Sequence, residues 1–301
     1  MPGRDIQNMQ NRKLYKQKSL IWIFIAYIAA IAAAVFTGSL FPDLSPLWIV
    51  LIADSVGTIV IFIFSLIFKN GSFYDAYWSV APIVIVGYYL FISPVEADVF
   101  RLTACSVLVT VWGIRLTYNW ARGWTGLDHE DWRYRNLQDQ TGIFYPLVNF
   151  LGIHFFPTIM VYLGCLGFYA AMVIPVTPFG IWDILGLIIG FTGIYWEATA
   201  DLQLHRYKKT RPPKGSFLKK GLWAYSRHPN YFGEMSFWVG ICLLGLGGNP
   251  SFLWSLAGPT AMILMFVFIS IPMIDKRMIA SRTGYQKHIN KVNAIIPWRK
   301  R

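Results

Sequence analysis

The chain has 301 residues, of which 55% are hydrophobic and only 14% charged, with a mean hydropathy of +0.45. A soluble domain carries charge on about a quarter of its residues, so the composition excludes an ordinary soluble protein and points to an integral membrane protein. The net charge of +12 does not by itself call for nucleic acid, because in membrane proteins the position of the cations reports topology first.

Crossing the hydrocarbon core takes about 20 apolar residues. Eight candidate stretches follow in chain order, at 20–41, 47–68, 78–93, 99–120, 144–173, 180–200, 231–248 and 252–274. The first follows Arg12, Lys13, Lys16 and Lys18. It outruns the roughly 7 to 15 apolar residues of a signal-peptide core, so it reads as a retained anchor and first span. The third is short, and the fifth contains Pro146 and Pro157, which predict a tilt or a break. The expected class is an all-α, polytopic membrane bundle of about eight helices. A basic cytoplasmic segment (1–19) precedes the bundle (20–274) and a cytoplasmic tail (275–301) follows it. Cys105, Cys165 and Cys242 each stand alone in an apolar run, without metal-type spacing, and read as packing residues.

With the N-terminus inside, five Lys/Arg precede the first span, Lys69 follows the second, four flank the loop after the fourth, eight lie in 201–230 and eight in the tail. That places 26 of the 27 cations on the cytoplasmic side and leaves Arg101 alone on the far side, where Asp43, Glu96 and Asp98 also fall. Both termini are then cytoplasmic. The far-side loops are short, whereas 121–143, 201–230 and the tail are long, basic and rich in Trp, Tyr, His and Asn. Any site is expected to open inward.

Four constellations could carry chemistry. In the first, Trp112, Arg115 and Asn119 share one helix face, and Arg115 either snorkels at a helix end or lines a wet cavity. Asp128, His129, Glu130, Asp131, Arg133 and Tyr134 follow it, as a solvated loop or, given the aromatics between Trp120 and Tyr134, a packed surface. In the second, Glu197 and Asp201 are one turn apart and lead into His205, Arg206, Tyr207, Lys208 and Lys209. Carboxylates followed by cations suit a nucleotide's ribose and phosphates, and the lysines equally suit an interfacial belt. The third is Ser226-Arg227-His228-Pro229-Asn230-Tyr231-Phe232-Gly233-Glu234, with Pro229 in a first helical turn. Arg227 and His228 at that helix start make a phosphate seat, and Glu234, a turn into the membrane, is costly as mere packing. The fourth, Asp275-Lys276-Arg277 with Tyr285 and His288, covers the same site or forms a plain basic tail. No Gly-x-Gly-x-x-Gly, Walker loop, His-Glu-x-x-His or Gly-x-Ser-x-Gly occurs, which argues against a Rossmann domain.

Trp112-Gly-Ile-Arg115-Leu, Glu130-Asp131-Trp132-Arg133-Tyr134, Asp201 with its basic segment, and Ser226 to Glu234 together resemble the DUF1295 proteins, relatives of the steroid 5-alpha-reductases, over roughly residues 70 to 300. The resemblance implies an NADPH-dependent reductase of a carbon–carbon double bond conjugated to a carbonyl, acting on a sterol-like, polycyclic or isoprenoid lipid that enters from the membrane. It implies NADPH contacts from Arg115, Asp201, Arg227, Asn230 and Glu234. Glu130, Asp131, Arg133, Tyr134, Arg206, Lys208, His228, Tyr231, Lys276 and Arg277 complete the candidate cofactor set. A bacterial inner membrane, with the site facing the cytoplasm, is the expected host, and no nucleic acid or metal is expected.

The chain departs from the reductases in one position. A tyrosine that assists the carbonyl there is matched here by Trp112, which has no acidic proton to give. Asp75, Tyr77 and Tyr118 are the candidates for the missing acid; Asp54, mid-span, is a further carboxylate without an evident partner. Two other classes compete. His228-Pro229-x-Tyr231 also occurs in S-adenosylmethionine-dependent membrane methyltransferases of the isoprenylcysteine carboxyl type, and Asp54 with Glu234 could serve an ion path in a transporter.

Overall fold

The computed structural model describes the backbone of residues 2–298 and the side chains from residue 10 onward. Arg4 of the basic N-terminal segment, and Arg299, Lys300 and Arg301 of the tail, lie outside the described side chains. The described residues form helices, with a single isolated bridge between Ser226 and Asn293. In chain order these are α1 (Pro2–Ser39), α2 (Pro46–Phe68), α3 (Tyr77–Phe91), α4 (Val99–Gly123), α5 (Trp132–Thr141), α6 (Tyr145–Val148), α7 (Phe156–Met172), α8 (Ile181–Lys209), α9 (Pro229–Gly248), α10 (Ala257–Met265), α11 (Ile271–Ser281) and α12 (Tyr285–Lys291).

Seven helical stretches are long and apolar enough to cross a membrane: Gln10–Ser39, Pro46–Phe68, Val99–Gly123, Trp132–Met172, Ile181–Lys209, Pro229–Gly248 and Leu253–Ser281. This is an integral membrane protein. The eighth expected stretch, 78–93, is the 15-residue α3, which falls short of a full span by length. The long fifth stretch stays helical from Trp132 to Met172 but changes its winding between its two prolines. There α6 passes into a π-helical segment, Asn149–Phe155, before α7 resumes. A second π segment, Phe266–Ser270, precedes Pro272, whose ring cannot donate to the preceding turn.

The chain divides into two compact units, one running to Gly87 and resuming over Val109–Tyr162, the other holding Tyr88–Leu108 and the chain from Leu163 on. In the first, α1 and α2 enclose a core of Ile23, Ala26, Tyr27, Ala30 and Ile61, and Phe73, Tyr74, Ala76 and Tyr77 from the loop after α2 are buried within it. In the second, α8 and α9 approach almost backbone to backbone. A Cβ at Gly193 would stand 2.6 Å from the Gly233 carbonyl oxygen, so only glycine fits at this crossing. At the start of α8, the fully buried Arg101 grips Asp183 (Nε to Oδ1 2.6 Å, Nη2 to Oδ2 2.8 Å). Its remaining donors go to the carbonyls of Thr177, Pro178 and Gly247.

Candidate functional site

In the first unit the loop after α2 turns back into protein rather than out to solvent. Lys69 ends α2 in the left-handed conformation (φ 50°). Asn70 then accepts from the Ser72 amide at 2.8 Å and donates to the carbonyls of Leu127 (2.9 Å) and His129 (3.2 Å). Glu130 accepts from the Gly71 amide at 2.7 Å, and Tyr27 donates to the Phe73 carbonyl at 3.0 Å. Irregular backbone this deep needs such partners, since every buried N–H and C=O must be satisfied by protein.

The loop presents three polar side chains, each on a named partner. Tyr134 donates to Asp75 Oδ1 at 2.6 Å, and the Trp120 indole approaches Oδ2 at 3.4 Å. Burial raises the Asp75 pKa to about 6, against the opposing pull of the Tyr134 bond and the nearby Arg133 charge. Tyr77 donates to Asp54 Oδ1 at 3.1 Å, which gives the mid-span carboxylate its partner. Tyr74 and Thr158 share a hydrogen bond at 2.7 Å, and Thr58 meets the same Thr158 hydroxyl at 2.7 Å.

The other first-unit candidates have local duties. Asp131 caps α5 by accepting from the Arg133 amide at 2.8 Å, and pairs with the Arg133 guanidinium at 2.8 Å. Trp112 is fully buried, edge-on to Trp78 with ring centroids 5.7 Å apart. Arg115 and Asn119 are half-buried on α4. Tyr118 is 63% exposed, with Arg122 against its ring.

In the second unit Arg227 and His228 converge on one carboxylate. Arg227 Nη2 lies 2.7 Å from Asp275 Oδ2, His228 Nε2 lies 3.1 Å from Oδ1, and Tyr285 donates to Oδ1 at 3.0 Å. Arg227 also donates from Nη1 to the Val292 carbonyl at 2.6 Å. The backbone of this stretch is covered by the tail: the Arg227 amide donates to Asn293 (3.0 Å) and the His228 amide to Ala294 (2.9 Å). The two amides just ahead of α9 are thus taken by the chain's own carbonyls. Tyr231 stacks between His228 (5.4 Å) and Phe266 (4.4 Å), and Glu234 accepts from the Trp238 indole at 2.8 Å. Burial and the Asp275 charge raise the Tyr285 pKa, while burial and the Lys219 and Arg227 charges lower that of His288. Asp201 and Asn230 are partly exposed, and Arg206, Lys208, Lys276 and Arg277 are exposed.

The profile of the DUF1295 family, described as a protein of unknown function, matches residues 61–292. The chain belongs to the DUF1295 family. A Schizosaccharomyces pombe protein described as uncharacterized is 29% identical over 252 residues, covering 76% of this chain and 73% of the relative. That relative is eukaryotic, so the match favours no bacterial membrane over a eukaryotic one. No solved structure matches the chain.

Sequence reasoning on this DUF1295 protein missed three pairings. Asp54 gains Tyr77, and lone Arg101 gains Asp183 from the first turn of α8. The third is buried His154, whose Nδ1 meets the Asn149 carbonyl. The usable signals were the isolated charges themselves, since an ionisable residue inside an apolar run demands a partner.

Proposed function

We propose that this DUF1295 protein is a membrane-embedded, NADPH-dependent reductase of a carbon–carbon double bond conjugated to a carbonyl in a sterol-like, polycyclic or isoprenoid lipid, akin to the steroid 5-alpha-reductases. The observation that carries the reading is the buried loop 70–77, with two acid pairs, Asp75–Tyr134 and Tyr77–Asp54. They supply the acid that Trp112 cannot. A bound NADPH would supply the hydride for the β-carbon of the enone. The Tyr77 hydroxyl, whose single proton points to Asp54 in the structure, would turn to donate to the carbonyl oxygen as negative charge develops there. A carboxyl with a pKa of about 6 holds its proton for part of the time near neutrality and can pass it to the enolate carbon.

For the cofactor, the residues that fit are the exposed Arg206, Lys208 and Lys276 for phosphates, with the partly exposed Asp201 and Asn230 for ribose and amide groups. Arg227 and His228 hold Asp275, the residue before Lys276. The topology that goes with this reading has eight crossings and both ends of the chain in the cytoplasm. Seven crossings would strand the basic tail opposite the basic first segment, whereas a short α3 starting from the buried loop satisfies the charge asymmetry.

The test is a thermal-shift titration of the purified full chain with NADPH, NADH, S-adenosylmethionine and FAD. NADPH is expected to stabilise saturably, and Asp201→Ala or Asn230→Ala to weaken it at least tenfold. Absence of saturable NADPH binding, or binding of S-adenosylmethionine in its place, overturns the reading.

A further inference from the structure

The first unit holds buried hydrogen-bond acceptors with no donor among the described residues: Asp54 Oδ2, Asn149 Oδ1 and His154 Nε2. Buried polar atoms without partners are few in native proteins, and each asks what completes it. His154 is the most informative because its chemistry is fixed by its surroundings. Its side chain is fully buried, on the π-helical segment Asn149–Phe155, and such segments recur at functional sites. Nδ1 lies 3.1 Å from the Asn149 carbonyl oxygen. A carbonyl can only accept, so Nδ1 carries the proton, and Nε2 of the neutral ring is left with a lone pair aimed at no donor.

The neighbours do not supply one. The ring stands edge-on to Phe62 and Tyr74, each 5.3 Å away between centroids. Thr158, one turn on, donates to the His154 backbone carbonyl at 2.9 Å, and its oxygen is shared with Tyr74 and Thr58.

We propose that His154 Nε2 receives the hydroxyl group of a lipid ligand, the alcohol end of a sterol-like or isoprenoid molecule. The missing partner must be a hydrogen-bond donor, which excludes a ketone or ester at this point, and a hydroxyl is the donor that a sterol-like or isoprenoid lipid carries. Water is the other O–H donor, but a buried water is held by two to four polar partners, and here two of the flanking groups are aromatic rings. An alcohol satisfies Nε2 and lays its apolar remainder against those rings. The lipid character of the ligand rests on the reductase reading, and the hydroxyl recognition stands on the His154 geometry alone. Together they assign a substrate with a free hydroxyl as well as the conjugated carbonyl.

The full chain is labelled with 15N-histidine in phosphatidylcholine nanodiscs and titrated with cholesterol, farnesol and the methyl ether of each, with NADPH binding measured on the same preparations. The Nε2 resonance of His154, identified by its loss in His154→Phe, is expected to be that of an unprotonated nitrogen. It should move with at least one alcohol and with neither ether. That alcohol is expected to bind about tenfold more tightly than its ether, and the preference to vanish in His154→Phe while partly surviving in His154→Gln, which keeps an acceptor. A protonated Nε2, equal response to alcohol and ether, or a hydrogen-bonded Nε2 that no alcohol moves, which is the signature of a water, overturns the proposal. NADPH binding with no alcohol response sinks this inference alone. Alcohol response without NADPH binding sinks the reductase reading and leaves this site standing.

Discussion

The buried loop 70–77 of the first unit and the Arg227 cluster of the second are both polar islands in an apolar chain, yet they are finished to different degrees. Around Asp275 both carboxylate oxygens are engaged, by Arg227, His228 and Tyr285, and tail carbonyls accept from Arg227 Nη1 and from the Arg227 and His228 amides. In the first unit the carboxylates meet neutral phenols, and Asp54 Oδ2 and His154 Nε2 have no partner among the described residues. A saturated ionic network is what a structural joint needs, whereas unsatisfied, neutral-partnered groups hold capacity in reserve for a ligand or a proton. The motif that dominates the sequence is therefore the more fully satisfied of the two.

The contrast predicts its largest effect at Asp275. Replacing it with Ala leaves the buried Arg227 guanidinium without its counter-charge, and removing one partner of a buried pair costs about 3–5 kcal/mol. Denaturation in mixed micelles should register that loss in Asp275→Ala. A loss under about 1 kcal/mol would break the comparison, by showing that the cluster is not a joint.

Asp75 should give the next largest effect, and one of a different kind. Its pKa of about 6 in the folded chain exceeds the ordinary 3.8, so the folded state holds this proton more tightly than the unfolded state. Its contribution to stability is thus fully present below about pH 4, is lost as pH rises to about 6, and stays level above that. The span amounts to roughly 2 kcal/mol after discounting for partial exposure. Asp75→Asn should remove this slope, measured as the difference between the two stability–pH curves. A wild-type curve parallel to that of the variant would refute the burial of this carboxyl. Tyr134→Phe tests the same pair from the other side. It deletes a bond that favours the ionised form, so it should cost about 1 kcal/mol and carry the end of the sloping window above pH 6.

Much of the fold was legible in the sequence because membrane spans are written as long apolar runs. The prolines at 146 and 157 announced an irregularity, but nothing local specified that the helix would run on through a π segment at Asn149–Phe155. The loop 70–77 was not legible. Its burial depends on Asn70 and Gly71 being met by residues near 127–130, almost 60 positions away, and no local periodicity encodes such pairings. For the same reason Asp54 looked isolated until Tyr77 was brought to it. The Arg227 stretch was conspicuous, since cations gather at a helix start, but spacing could not show that a distant tail meets the Arg227 and His228 amides.

The smallest effect should fall on Tyr118, and it separates two tyrosines that the sequence could not rank. Tyr77 is 3% exposed and donates to Asp54, whereas Tyr118 is 63% exposed on α4 beside Arg122. A hydroxyl already in contact with solvent or lipid headgroups exchanges one partner for another when it is removed, so Tyr118→Phe should shift stability by less than about 0.5 kcal/mol. Under the reductase reading it should also leave enone reduction unchanged. Tyr77→Phe removes a buried donor aimed at a carboxylate, and under the reductase reading should lower kcat about a hundredfold, with a smaller change in KM. Equal loss in the two variants would mean that depth in the bundle does not decide which phenol serves as the acid, and Tyr118 would return as its equal.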